Sequence, residues 1–236
     1  MSNDLSRRRF LGVAGTAAAA GAVAGTAAAE EQKASPSGPI KILGICTSPR
    51  KGMSTAKALQ VALDAAREVD PDNVEIELVE LAGLRIPGEP AAGVELEPGE
   101  RDDFPSLVPK LSDPKVAGLI IGTPVYFSNM TALCKAFLDR LMFFRKNDFA
   151  LADKVAGVIA VGGSRIGGQL LAVESVQGAL YGQDMIVVGA GPPTTRCGAA
   201  VWNQKDKDVT ADEAGMQAVR DVGRRVAELA LRLAKA

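Results

Sequence analysis

The sequence has no histidine, few aromatic residues and no closely spaced cysteines, and each shortage excludes a class of function. Without histidine, the 236 residues cannot form a Ser-His-Asp or Cys-His catalytic centre or a zinc site with imidazole ligands. Cys46, Cys134 and Cys197 are far apart in the chain, so we expect no metal or iron–sulfur site. Aromatic residues make up 4% and the net charge is −1, which argues against a nucleic-acid partner. Proton and electron transfer must then rely on other side chains or on a cofactor.

Residues 1–29 resemble a twin-arginine export signal. The stretch SRRRFL at residues 6–11 matches the S-R-R-x-F-L pattern, and an Ala/Gly-rich run ends in the cleavage-like Ala-Ala-Ala at residues 27–29. A transmembrane helix or a disordered tail is the alternative, although Ala and Gly are weakly hydrophobic for a span. Such proteins cross the membrane folded, often with a cofactor already bound. We therefore expect the twin-arginine translocase as a partner and a periplasmic or other extracytoplasmic location, with the signal either cleaved or kept as an anchor.

The rest of the chain predicts one α/β domain. Residues 30–39 are typical of a linker, and residues 40–236 form the domain. Apolar or alternating runs predict five strands, and helical spacing between them predicts helices, the last of which has a T-x-x-E capping box from Thr210 to Glu213. The expected strands are 40–46, 74–81, 116–122, 154–162 and 185–191, and the expected helices are 54–68, 129–144, 168–182 and the segment after Thr210.

This alternation predicts a flavodoxin-like order of elements: a doubly wound, five-stranded parallel sheet with helices on both faces. Ligands of such sheets bind beyond the carboxyl ends of the strands, so we expect the site in the loops after strands one, three and four. The connections at 82–103 and 191–209 are long for a compact domain, which favours a role at a site or an interface.

The loop after the first strand, TSPRKGMST, has the composition of an anion site. A helix follows it, and the first N–H groups of a helix attract negative charge. The loop is neither a nucleotide P-loop nor a G-x-G-x-x-G turn. A polar turn that only caps the helix is the alternative. The side chains expected to hold an anion are Thr47, Ser48, Arg50, Ser54 and Thr55.

The two other loops suit a flat ligand. GTPVYFSNM brings aromatic residues to a strand end, with Asn129 as a plausible helix N-cap, although Tyr126 and Phe127 could equally pack in the core. VGGSRIGGQ would let the backbone approach a ligand closely, or would form a flexible turn. The candidate residues are Thr123, Pro124, Val125, Tyr126 and Asn129 in the first of these loops and Gly162, Gly163 and Ser164 in the second.

The three motifs in this order, together with GMQAVRDVGRRVAELA near the C-terminus, resemble the flavodoxin-like NAD(P)H-dependent FMN reductases over residues 40–232. The branch that includes the iron–sulfur flavoproteins is the most similar. The resemblance implies an FMN-dependent oxidoreductase, with the phosphate in the first loop, the ring beside the second and its pyrimidine edge against the third. Backbone amides there would stabilise negative charge on the reduced flavin. It also implies NAD(P)H as a candidate donor, a small-molecule acceptor, no catalytic side chain, and a homodimer or homotetramer.

Two features depart from that family. Its iron–sulfur branch carries a cysteine cluster after the second strand, whereas residues 82–103 contain no cysteine, so we expect no cluster. Export would also separate the protein from cytoplasmic NAD(P)H, which leaves the physiological donor open. A flavodoxin-type electron carrier and a flavin-free binding protein are the alternative functions. We expect Cys134 to be a buried apolar residue, Cys197 to have no catalytic role, and Trp202 to pack in the core or an interface.

Overall fold

The structure is a computed structural model that describes residues 38–204 and 208–235. The predicted export signal and most of the predicted linker lie outside these residues. The strands are β1 Ile40–Cys46, β2 Val74–Glu80, β3 Val116–Pro124, β4 Val155–Gly162, β5 Ile186–Val187 and β6 Ala199–Trp202. The helices are α1 Ser54–Arg67, α2 Val108–Leu111, α3 Ala132–Arg140, α4 Met142–Lys146, α5 Gln169–Tyr181 and α6 Glu213–Ala234.

The strands form one parallel sheet in the order β2-β1-β3-β4-β5, which confirms the predicted doubly wound architecture. This is the flavodoxin-like order, in which the direction of winding switches between β1 and β3. Buried side chains fill both faces of the sheet. Leu59, Leu63 and Val222 belong to the core under α1 and α6, and Phe137 and Val176 to the core under α3 and α5.

The fifth position of the sheet is shared by two short strands. The predicted strand 185–191 pairs with β4 only over Ile186–Val187, and β6 pairs with the following part of β4. The chain leaves the edge because Gly189 and Gly191 weaken extended structure and Pro192-Pro193 has no N–H groups to donate. Strand β6 lies within the segment that the sequence presented as a connection.

Two helix starts differ from the prediction. The N-cap of α3 is Thr131, whose hydroxyl accepts from the Cys134 N–H, because Asn129 closes a tight hairpin turn instead. The N-cap of α6 is Asp212, whose carboxylate accepts from the Gly215 N–H. The predicted capping box at Thr210 is therefore wrong: that residue lies in the 3₁₀ turn Val209–Ala211, which another aspartate caps. None of the helices in the described ranges is long and apolar enough to cross a membrane.

Candidate functional site

The first turn of α1 is open to an anion. Its N-cap, Met53, makes no side-chain hydrogen bond, and no acidic residue lies in the first turn. The first intrahelical bond runs from the Lys57 N–H to the Met53 carbonyl, so the N–H groups of Ser54, Thr55 and Ala56 precede it. These groups and the helix dipole favour negative charge. The alternative of a helix capped by side chains of its own polar turn is wrong.

The loop that leads into α1 is held in shape by its own contacts. The Ser48 hydroxyl accepts from the Arg50 N–H at 3.1 Å and donates to the Arg50 carbonyl at 3.0 Å. Gly52, at φ +67°, donates its N–H to a carboxylate oxygen of Glu80 at 2.7 Å. A side chain at this φ would be strained, so the loop needs glycine here. The loop is therefore preformed before any ligand binds.

A cavity of about 270 Å³ lies at the carboxyl ends of β1, β3 and β4, where all three predicted loops meet. Nine of the predicted site residues line it, together with Met53, Val161 and Asn203. The predicted residues in its wall are Ser48, Arg50, Ser54, Thr55, Pro124, Val125, Tyr126, Gly162 and Gly163. Doubly wound sheets of this strand order bind ligands at this switch point.

Four predicted residues do not line the cavity. Thr47 and Thr123 are fully buried behind it, and their hydroxyls bond within the protein. The Thr47 hydroxyl donates to the Gly122 carbonyl at 2.9 Å, and the Thr123 hydroxyl accepts from the Thr131 N–H at 3.2 Å. Asn129 and Ser164 are exposed outside the cavity wall. The two threonines thus join neighbouring loops instead of presenting hydroxyls to a ligand.

Two aromatic side chains project beside the cavity, so the alternative that they pack in the core is wrong. Tyr126 is 43% exposed and Phe127 is 104% exposed. Phe127 and Ser128 form the tip of the Tyr126–Asn129 hairpin, at φ 51° and 62°, a conformation that is unfavourable for a bulky residue. The hairpin packs tightly on the glycine-rich loop, where a Cβ at Gly168 would lie 2.4 Å from the Ser128 Cα.

Sequence analysis missed Asn203, which joins the first and third loops. Its side-chain oxygen accepts from the Ser54 hydroxyl at 2.9 Å, and its N–H donates to the Gly162 carbonyl at 2.8 Å. Asn203 directly follows β6, so recognising Ala199–Trp202 as a strand would have placed it at the ligand edge of the sheet. The four-residue run AAVW is too short to give that signal by periodicity.

A second, larger cavity of about 840 Å³ lies beyond Trp202, the residue next to Asn203. Its wall combines apolar side chains of α5 with polar groups of the loop after β5 and of α6. The Trp202 indole N–H donates to the Gly163 carbonyl at 3.3 Å, and the Arg165 guanidinium lies 4.6 Å from the centre of the indole ring. Trp202 therefore lines the larger cavity and bonds to Gly163, which lines the smaller one.

Two of the three cysteines, Cys46 and Cys134, are buried. All three are free thiols. Burial raises the pKa of Cys46 and of Cys134 to about 11, so both are protonated at neutral pH. Within residues 38–204 and 208–235, no group of three or more Cys, Asp or Glu side chains could hold a metal ion.

Comparisons with known proteins show the family to which the chain is related. The family described as NADPH-dependent FMN reductase matches residues 40–195. An iron–sulfur flavoprotein of Methanocaldococcus jannaschii is 32% identical over 195 residues, covering 80% of this chain and 97% of that protein. Another iron–sulfur flavoprotein, from Methanosarcina thermophila, is 33% identical over 192 residues, covering 80% of this chain and 95% of that protein.

Solved structures show the same fold at low identity. RosB with a bound 8-demethyl-8-formylriboflavin-5'-phosphate has a TM-score of 0.63 at 19% identity and covers 84% of this chain and 81% of its own. The apo form of the NADH:FMN oxidoreductase EMOB has a TM-score of 0.56 at 22% identity and covers 82% of this chain and 89% of its own. At these identities the likeness establishes the flavodoxin-like fold.

Proposed function

The chain belongs to the NADPH-dependent FMN reductase family, and on that premise we propose that it is an FMN-dependent oxidoreductase. The observation that carries the proposal is the meeting of an uncapped helix N-terminus, a cation and two hydroxyls in one cavity. Ser54 and Thr55, in the first turn of α1, line the 270 Å³ cavity together with Arg50, and the N-cap of that helix makes no side-chain hydrogen bond. Together they match the charge and hydrogen-bond acceptors of a phosphate monoester.

The residues further along the cavity suit the flavin ring. Pro124 and Val125 form an apolar wall, Tyr126 stands at its rim, and Gly162 and Gly163 present backbone without side chains. When bound, FMN supplies hydride or electron transfer, a chemistry that needs no histidine. The protein's part is then to bind the phosphate, orient the ring and place N–H groups near its edge. We propose NAD(P)H as a donor and a small molecule as the acceptor.

An iron–sulfur cluster does not fit this chain. Cys46 lies in the core under α1 and α6, Cys134 lies in the opposite core under α3 and α5, and clusters need about four cysteine thiolates together. The segment after β2 is instead held by Arg140, which bonds the Asp102 carboxylate at 2.8 Å and lies 4.6 Å from the centre of the Phe104 ring. We therefore propose FMN as the one redox centre, despite the names of the relatives.

The proposal extends to location and assembly. Residues 1–29 support export through the twin-arginine translocase to the periplasm. Replacing both Arg7 and Arg8 by Lys should retain the chain in the cytoplasm, and cell fractionation would contradict export if wild type and variant were distributed alike.

Exposed apolar side chains near the cavity, such as Phe127 and Ile166, support a homodimer or homotetramer.

The same exposed side chains favour one other function, a flavodoxin-type carrier that docks on a protein partner. The two functions differ in how they use a reductant. An enzyme turns over NAD(P)H with a small-molecule acceptor, whereas a carrier is reduced and reoxidised by proteins alone. Steady-state NADPH oxidation with and without added quinone separates them.

The phosphate site can be tested with Arg50→Ala and a neighbouring control, Lys51→Ala. Arg50 lines the cavity and Lys51 does not, although both are exposed. Losing a charge-assisted hydrogen bond should raise the Kd for FMN about tenfold in Arg50→Ala and change it little in Lys51→Ala. Fluorescence titration of wild type and both variants, with FMN and with riboflavin, which lacks the phosphate, would measure these Kd values.

The titration has clear outcomes. We expect wild type to bind FMN more tightly than riboflavin, and Arg50→Ala to lose most of that preference. Equal affinity of wild type for the two flavins would contradict a phosphate site in the first loop.

A further inference from the structure

The glycine-rich loop at residues 162–168 is hydrogen-bonded to the side chain of Gln169. Gln169, the first residue of α5, is 5% exposed and lies under the loop. Its side-chain oxygen accepts from the Gly167 N–H at 2.8 Å, and its side-chain nitrogen donates to the Ser164 carbonyl at 2.6 Å. One carboxamide therefore uses both its polar ends to bracket the loop.

The same carboxamide fills the space beside Gly162. A Cβ at Gly162 would lie 2.7 Å from the Gln169 side-chain nitrogen, which is too close for a non-bonded contact. Because residue 162 is glycine, the Gln169 carboxamide can pack directly against the backbone that lines the 270 Å³ cavity. The position of the loop backbone and the position of the Gln169 side chain depend on each other.

The outer side of the loop has a second support. The Trp202 indole N–H donates to the Gly163 carbonyl, and the Arg165 guanidinium stacks on the indole ring. Trp202 is itself fixed, because its backbone N–H donates to the Asp212 carboxylate at 2.7 Å. Trp202 thus holds the Gly163 carbonyl, and Gln169 holds the Ser164 carbonyl and the Gly167 N–H.

We infer that Gln169 is a positioning residue for the flavin: it fixes the peptide groups of the glycine-rich loop toward the edge of the ring where negative charge develops on reduction. The inference rests on the proposed FMN site. Preorganised N–H groups stabilise such charge more than mobile ones, because they need no reorganisation when it develops. Releasing the bracket should therefore make the reduction potential of the bound flavin more negative and weaken its binding.

The test compares Gln169→Met with Gln177→Met in the full-length chain. Methionine keeps the length of glutamine and removes its hydrogen bonds. Gln177 is the matched control, because it lies on the same helix and donates to a backbone carbonyl, that of Cys197, outside the glycine-rich loop. Hydrogen–deuterium exchange without flavin reports the loop directly. We expect faster exchange at residues 162–168 in Gln169→Met and wild-type exchange there in Gln177→Met.

The second measurement is the midpoint reduction potential of FMN bound to wild type, to Gln169→Met and to Gln177→Met. We expect a more negative potential and a Kd raised about tenfold in Gln169→Met alone. An unchanged potential in Gln169→Met, or an equal shift in the Gln177→Met control, would overturn the inference while leaving the FMN site intact. If wild type binds no FMN, the proposed function fails, and the positioning role fails with it.

One further variant covers the case in which Gln169→Met does not fold, as judged by circular dichroism. Gln169→Glu keeps the acceptor for the Gly167 N–H and loses the donor to the Ser164 carbonyl. We expect the Gly167 N–H, which keeps its acceptor, to exchange as slowly as in wild type, and the neighbouring N–H groups of the loop to exchange faster. Uniform wild-type exchange in this variant would overturn the bracket.

Discussion

Lys41 at the start of β1 and Asp113 before β3 form an ion pair at 3.0 Å, at the end of the sheet opposite the candidate site. The Lys115 N–H and then the Lys41 ammonium lower the pKa of the Asp113 carboxyl. The hydrogen bond to Asp113 raises the pKa of Lys41 in turn. The contribution of Asp113 to stability is therefore present above the unfolded carboxyl pKa of about 3.9 and is lost as the pH falls through its lower folded value.

The first prediction is that Asp113→Asn destabilises the protein at neutral pH and much less in acid. At about pH 6 the variant lacks the favourable charge interactions, whereas below the folded pKa of Asp113 the wild-type carboxyl is protonated as well. Urea unfolding of both proteins at several pH values measures the difference in free energy of unfolding. A difference that stays constant with pH would show that the pair contributes through packing and not through charge.

At the same scale, composition identified the loops but not which side chains face the cavity. Ser48 and Thr47 are neighbours of similar chemistry, yet Ser48 lines the cavity and Thr47 bonds to the adjacent strand. Side chains alternate sides as a strand ends, and a shift of one residue reverses their direction. Asn203 was missed for a different reason: its position depends on the pairing of β6 with β4, which is distant in sequence.

Among the secondary-structure elements, α1 and α6 pack so closely that their contact needs a glycine. A Cβ at Gly223 in α6 would lie 1.9 Å from the carbonyl oxygen of Ala62 in α1. Neither helix can move away without disturbing the core beneath, which includes Leu59 and Val222. The Ala62 carbonyl belongs to the backbone, so it cannot move aside as the end of a flexible side chain would.

The second prediction uses two helical glycines whose surroundings differ. Gly223→Ala should destabilise the protein by about 1–3 kcal/mol, because the added methyl group forces the helices apart. Gly178→Ala in α5 has no atom within 4 Å of its new Cβ and should stabilise by about 0.5–1 kcal/mol through helix propensity. Thermal and urea unfolding measure both changes. Effects of the same sign would contradict the close approach of α1 and α6.

The elements that the sequence predicted well are those with strong local signals. Strands β1, β3 and β4 are continuous buried apolar runs, so their bounds lie within about two residues of expectation. The strand predicted at 185–191 forms only in part, and the division of the fifth position between two strands could not be foreseen, because they span two and four residues and owe their place to pairing with β4. The start of α6 was misplaced because Thr210 and Asp212 are both suitable caps, and tertiary contacts selected Asp212.

At the scale of the whole molecule, the candidate site lies at one end of the sheet, at the carboxyl ends of its strands. The winding switches between β1 and β3, and the cavity opens there between the loops that follow β1, β3 and β4. Two buried cores hold those strands from opposite faces. The first turn of α1 lines the cavity where we propose that the phosphate binds, and the loop that Gln169 brackets lines it as well.

The central claim, a flavin as the single redox centre of this cavity, is tested most directly by anaerobic absorption spectroscopy of the purified chain after incubation with FMN. We expect about one FMN per chain, flavin bands that bleach on addition of NADPH or dithionite, and no iron by elemental analysis. Bleaching by dithionite but not by NADPH would show that NADPH is not the donor. A protein that retains no FMN, or one that contains iron in proportion to the chain, would contradict the account.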